Sequence, residues 1–283
     1  ETAAAYTVLC TVEGVAPFLS DSVTIVSHTP DAPSSTLTVP DGDLEACDAC
    51  SVSLVLADEN SNTLFVEKVV SMVFTGLASP VSVTPTFDSS SLVYTAAAPT
   101  SLCQTAGSYT VSCTVEGVPS FLSDTITVVA GEADASTTTF TVPTSDVVAG
   151  TPFSMGATLR DEYGNTLLSD VSLKVRVYYA DPSGGGQRTD IPMTFDPSTH
   201  TYSCAAIATT SNTARTSALM LIQLSPSFTK IMEDSLTVVP ASPDATESWL
   251  TVPSADLVAG TPFSVTLDLE DKYSNTITAE QTV

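Results

Sequence analysis

The side chains able to do chemistry are few and clustered: six cysteines, two histidines and a recurring set of aspartates. Cys47-x-x-Cys50, Cys103 and Cys113 lie in one stretch of about a hundred residues, with Cys10 and Cys204 outside it. Three chemistries fit these four thiols. They can pair as disulfides, which places the chain in an oxidising compartment. They can bind zinc, for which Cys47-x-x-Cys50 has the right spacing, although the other two are ten apart rather than three. They can also be free buried thiols behaving as small apolar groups.

The aspartates recur in two sets: Asp31, Asp134 and Asp244, and then Asp58, Asp161 and Asp271. Both suit calcium, a hard cation that takes six to eight oxygens. Aspartates also start turns and cap backbone, so turn formation is the competing expectation. His28 and His200 have no nucleophile in a recognisable motif beside them, and no nucleotide-binding, zinc-protease or hydrolase motif occurs. We expect no enzymatic activity and no resident cofactor, with calcium a candidate metal beside the zinc option of the cysteines. No asparagine sits in a glycosylation sequon; Ser89-Ser90-Ser91 and Thr137-Thr138-Thr139 are candidates for O-glycans.

Charge narrows the partners. The net charge is −24, from 32 acidic and 8 basic residues. Nucleic acid is excluded as an expected partner, because binding it rests on Lys and Arg neutralising phosphate. Anionic membranes are disfavoured likewise, and no apolar run approaches the ~20 residues needed to insert.

The elements that position these residues follow from repetition. TAGSYTVSCTVEGV from Thr105 matches TAAAYTVLCTVEGV from Thr2 without a gap. A second block occurs three times: TVPDGDLEACDACSVSLVLADENSNT from Thr38, TVPTSDVVAGTPFSMGATLRDEYGNT from Thr141 and TVPSADLVAGTPFSVTLDLEDKYSNT from Thr251. The period, with two-residue alternation inside it, matches one seven-strand sandwich. We expect residues 1–30 to be the last two strands of a first module. Residues 31–132 and 133–243 are expected to be complete modules, and 244–283 to open a fourth. Within the third, Phe153, Met155, Ala157 and Leu159 should face inward, as should Val171, Leu173, Val175, Val177 and Tyr179. The second and sixth strands run parallel in such a sandwich, which makes a bridge from Cys47 or Cys50 to Cys103 sterically reasonable.

The order of landmarks resembles the filamin repeat. Ala149-Gly150 precedes an apolar strand, Asp161-x-Tyr163-Gly164-Asn165 follows it, Gly107-x-Tyr109 opens the sixth strand, and Glu116-Gly117-Val118-Pro119 makes the last hairpin. The resemblance implies an all-β string of immunoglobulin-like modules, with a rod-forming or adhesive habit. It also implies a groove between third and fourth strands that takes a partner's strand. The final strand departs from the family, with Ser20-Asp21-Ser22, Ser123-Asp124-Thr125 and Glu233-Asp234-Ser235.

Charge is uneven between the modules. Residues 31–132 carry twelve acids against Lys68 alone, whereas six of the eight basic residues fall within 133–243. Lys174 and Arg176 point outward from one strand, read as an open edge, and are the candidates for docking an acidic module of another copy. The half-modules at the two ends suggest a window on a longer polymer. The expected function is that of a structural subunit in an extracellular filament made of copies of the chain. The alternative is the ectodomain stalk of a cell-surface adhesion protein.

Overall fold

The computed structural model describes residues 2–13, 19–179, 187–204, 215–223 and 229–278, without the side chains of residues 19, 179, 187 and 215–223. The chain divides into two compact units, Glu1–Gly131 and Glu132–Val283.

The first unit opens with a hairpin of β1 (Ala4–Cys10) and β2 (Leu19–Ile25), in register from Ala4 opposite Ile25 to Cys10 opposite Leu19. A sandwich follows. Its strands are β3 (Thr36–Thr38), β4 (Leu44–Glu45), β5 (Ser51–Val55), β6 (Val70–Thr75), β7 (Val81–Val83), β8 (Thr86–Asp88) and β9 (Val93–Ala97). A short helix α1 (Thr100–Gln104) leads to β10 (Gly107–Val115) and β11 (Val118–Val129). One sheet has the order β4-β11-β10-β6-β7 and the other β3-β5-β9-β8.

Alternation builds this core. Val52 and Leu54 of β5, Val70, Met72 and Phe74 of β6, and Tyr109, Val111, Cys113 and Val115 of β10 are buried at every second position. Each large apolar side chain so buried contributes about 1.5–3 kcal/mol. The Tyr109 hydroxyl donates to the Thr105 carbonyl at 2.6 Å, fixing the entry to β10 as a tyrosine corner does.

The sandwich has nine strands rather than the expected seven, for two reasons. Pro40 offers no N–H to a ladder. The first strand therefore breaks there, and its second half, β4, crosses to pair in parallel with β11. In addition, β7 bonds to the outer side of β6.

The second unit repeats the plan with β12 (Thr139–Thr141), β13 (Val147–Val148), β14 (Gly156–Thr158), β15 (Leu173–Tyr179) and β16 (Gln187–Pro192). It continues with β17 (Thr194–Asp196), β18 (Thr201–Ser203), β19 (Arg215–Gln223) and β20 (Thr229–Val239). The sheets are β13-β20-β19-β15-β16 and β12-β14-β18-β17. A ribbon of β21 (Trp249–Thr251) with β22 (Thr266–Asp268) ends it. Phe153, Met155, Ala157, Leu159, Leu173, Val175 and Val177 are buried, and Val171 is half-buried. The side chain of Tyr179 lies outside the described residues.

The expectation of an open edge at the third strand is corrected. That strand, β15, is paired on one side with β19 and on the other with β16. A partner's strand cannot add to it, because its backbone donors and acceptors are already used.

Candidate functional site: the module junction

Three turns with the pattern Asp-x-x-x-Asn sit at matching places, and their aspartates are buried: Asp58 is 2% exposed, Asp161 2% and Asp271 0%. A buried carboxylate needs donors around it. Asp58 takes the backbone N–H groups of Asn60 and Asn62 on one oxygen, and the Asn62 amide bridges both oxygens. The second oxygen also accepts the backbone N–H of His28 at 3.0 Å, from the segment leaving β2. Asp271 does the same in the second unit. It receives Tyr273 and Asn275 from its own turn, and the Ala241 N–H at 2.8 Å from the segment leaving β20. Asp161 holds Tyr163 and Asn165. At Asp58 and at Asp271 one carboxylate thus clamps the segment leaving a strand, β2 or β20, to a turn further along the chain.

The donors leave a mark on acidity. The His28 N–H, helped by Asn62 and Asn60, lowers the Asp58 pKa to about 2. At Asp271, burial works the other way, but the donors from Asn275, Ala241 and Tyr273 prevail and hold the carboxyl below its usual range.

The other aspartate set closes the same junction. The N–H of Asp31 donates to Ala57, that of Asp134 to Arg160 and that of Asp244 to Glu270. Four residues after each comes a hydroxyl: Ser35, Thr138 and Ser248. These accept the backbone N–H of Ala57, Arg160 and Glu270, at 3.0, 3.1 and 3.0 Å. The side chains of Asp31, Asp134 and Asp244 cap their own turns, through Ser34, Ser136 and Thr246.

These carboxylates accept N–H and O–H donors from their own turns, and Asp58 and Asp271 also accept them from the preceding segment. Among the described residues no group of three or more His, Cys, Asp or Glu side chains converges on a point. The hydroxyl four residues after each linker aspartate escaped the sequence reading, although the spacing was there to be seen. So did the seat of Tyr273: a Cβ built on Gly150 would fall 1.9 Å from the tyrosine oxygen, so the ring lies on the glycine itself.

Of the Thr137-Thr138-Thr139 run, the Thr137 hydroxyl donates to the Asp161 carbonyl at 2.7 Å and Thr138 is buried. Ser90 and Ser91 donate to Asp88 on an exposed turn. Lys174 and Arg176 share one carboxylate of their own sheet. Asp190, across the ladder on β16, lies 2.5 Å from the Lys174 ammonium and takes both Nε and Nη2 of Arg176, at 2.6 and 2.9 Å. Hydrogen bonding to the Arg176 guanidinium, reinforced by Lys174, holds the Asp190 carboxyl well below the ordinary carboxylate range.

All six cysteines are free thiols. Cys47, Cys50 and Cys103 come to one end of the first sandwich, where the Cys47 N–H donates to the Cys103 carbonyl at 2.7 Å. Cys113 lies fully buried within β10, opposite Leu122 and Met72. A four-thiolate zinc site needs all four sulfurs at one point, and the exposed Cys47 and core-buried Cys113 do not supply it. His28 lies in the clamp through its backbone, and His200 ends a turn at a φ of 54°. The triple glycine at 184–186 is outside the described residues. No helix among the described residues is long and apolar enough to cross a membrane.

No family model matches the chain, and no curated protein matches it. Solved structures do. The Escherichia coli adhesin FdeC is similar over 84% of this chain and 74% of its own, at 19% identity and a TM-score of 0.58. Yersinia pseudotuberculosis InvD is similar over 87% and 73%, at 18% identity and a TM-score of 0.49. Invasin, a bacterial integrin-binding protein, is 21% identical over 87% of this chain, which spans 48% of it, with a TM-score of 0.41. At such identities the likeness to FdeC is one of fold. With the sheet orders above, it makes the chain a tandem array of immunoglobulin-like β-sandwich modules.

Proposed function

We propose that the array is the stalk of a cell-surface adhesion protein, exposed outside the cell, and that its modules are of the filamin type. The observation that carries this reading is the repeated junction clamp. His28 on Asp58 ties the segment leaving β2 to the sandwich that follows, and Ala241 on Asp271 ties the segment leaving β20 to the turn at 271–275, each through a buried, ionised acceptor. Such joints suit a stalk that presents a distant tip. The adhesin FdeC, whose fold is similar, lends support from outside.

Electron microscopy of the native material in negative stain tests the proposal. Isolated rods of defined length support the stalk. Long polymers would overturn it in favour of a filament built from copies of the chain. Separate globular particles would overturn both.

A further inference from the structure

We propose that Cys50 and Cys103 form a disulfide that staples helix α1 to the turn entering β5. The inference goes beyond the stalk reading and stands apart from it, since a module can be stapled whatever it serves.

The first observation is a coordinated difference between internal repeats. Where the first sandwich has Cys47 and Cys50, the second has Gly150 and Phe153, and the last segment Gly260 and Phe263. Phe153 is buried and fills the start of its strand. Replacing that ring by a thiol would leave a hole in a close-packed core. In the first sandwich α1 closes the gap: its Leu102 is fully buried, and Cys103 packs on the core cluster that contains Cys50. The corresponding stretch of the second module, residues 205–214, has no cysteine. All three cysteines thus stand together in one repeat and have no counterpart in the other repeats.

The second observation is the backbone docking. The Cys47-x-x-Cys50 turn is tied to the α1 segment at both ends: Cys47 N–H to the Cys103 carbonyl at 2.7 Å, and Ala98 N–H to the Cys50 carbonyl at 2.9 Å. These bonds pair Cys47 with Cys103 and Ala98 with Cys50, so they lay the turn along α1, and the packing of Cys103 on the cluster that contains Cys50 sets those two thiols toward each other. Cys47 holds a φ of 88°, where its counterparts Gly150 and Gly260 have 77° and 89°. A side chain in that region is strained, so the turn keeps its glycine geometry despite the substitution. The neighbourhood is also felt in acidity: burial first, and the Cys103 thiolate second, push the Cys50 thiol up to about 11.

Oxidation needs a disulfide-bearing oxidant, and a glutathione-type or oxidoreductase disulfide supplies it. The Cys103 thiolate attacks one sulfur of the oxidant and releases the other as a thiol. Cys50, losing its proton to solvent, then attacks the mixed disulfide at Cys103 and releases the second thiol. Two protein thiols are oxidised, one external disulfide is reduced, and the Cys47 thiol stays free. Its exposed position beside the bond makes it the one that alkylating reagents reach first.

The test is a peptide map of the full chain after equilibration with oxidised glutathione, with free thiols alkylated before digestion. The expected result is a linked pair of peptides carrying Cys50 and Cys103, split by reductant, with Cys47 and Cys113 alkylated. Reduction should lower the melting midpoint of the first sandwich by about 10 °C. Cys47→Gly should preserve the link, and Cys103→Ala should abolish both the link and the redox dependence of melting. A link from Cys103 to Cys47 instead, or alkylation of all three thiols under oxidising conditions, would overturn the pairing. Because the map reads the unaltered chain, a variant that fails to fold does not rescue it.

Discussion

The two oxygens of Asp58 take donors from its own turn and from the segment leaving β2, so one side chain holds two parts of the chain together. Asp58→Ala strands those N–H groups in a buried place, which costs more than the bonds themselves. We expect the melting midpoint of the first unit to fall by on the order of 5 °C. Amide exchange at His28 should rise, while the core of β5 and β10 stays protected. The acidity gives a second readout. The folded pKa of about 2 lies below the ordinary aspartate value of about 3.9, so the stabilisation is present above pH ~4 and is lost as pH falls towards 2. Asp58→Asn should flatten that stretch of the stability–pH profile, and an unchanged profile would remove Asp58 as its source. The position of this residue was legible in the sequence, because Asp58, Asp161 and Asp271 recur, but its donors were not. The reason is physical: recurrence marks a residue that is needed, and only the surrounding donors show that N–H groups occupy its oxygens.

Strands and turns carry the next level. Alternation predicted the inward faces around β14 and along β15 because period two is a property of the chain alone. Edges were not legible in that way: whether a strand is central depends on what pairs beside it, and β16 is written in a segment of weak pattern, Gln187–Pro192. Its Asp190 absorbs the charge of Lys174, which is 8% exposed, and of Arg176. Removing one partner of a buried pair leaves the other charge uncompensated, whereas an apolar replacement removes the cost. Asp190→Ala should therefore cost about 1–2 kcal/mol, reduced by the partial exposure of the carboxylate. Lys174→Met should cost less than that in the same denaturant titration, and equal losses would mean that no buried charge is stranded. The joint at Gly150 tests packing between elements. Gly150→Ala forces the Tyr273 ring aside and adds a Cβ at a φ of 77°, so amide exchange in the turn at 271–275 should accelerate. Adding Tyr273→Ala should relieve the steric part, and a double variant no better than the single would place the cause in the backbone.

At the level of the whole molecule, 32 acidic residues face 8 basic ones. The Lys68 ammonium, the sole cation of residues 31–132, lies 3.4 Å from Glu116. Self-repulsion on this scale works against the compact state, and it separates two accounts of divalent cations that the aspartate pattern alone leaves together. If the junctions held calcium, micromolar calcium would raise the melting midpoint in a saturable step that magnesium, which demands smaller octahedral geometry, does not reproduce. If the carboxylates are filled by N–H donors, as at Asp58 and Asp271, cations act only through their charge. Sodium chloride raised from 0.01 to 0.15 M shortens the screening length from about 30 to about 8 Å, and the midpoint should climb by several degrees. Calcium and magnesium at equal millimolar concentration should then raise it equally, and chelator added in 0.15 M salt should leave it where it was. Calorimetry across these four conditions decides between them. A calcium step without a magnesium counterpart would mean that the junction aspartates exchange their N–H donors for metal, and that the clamp is one of two states of the joint.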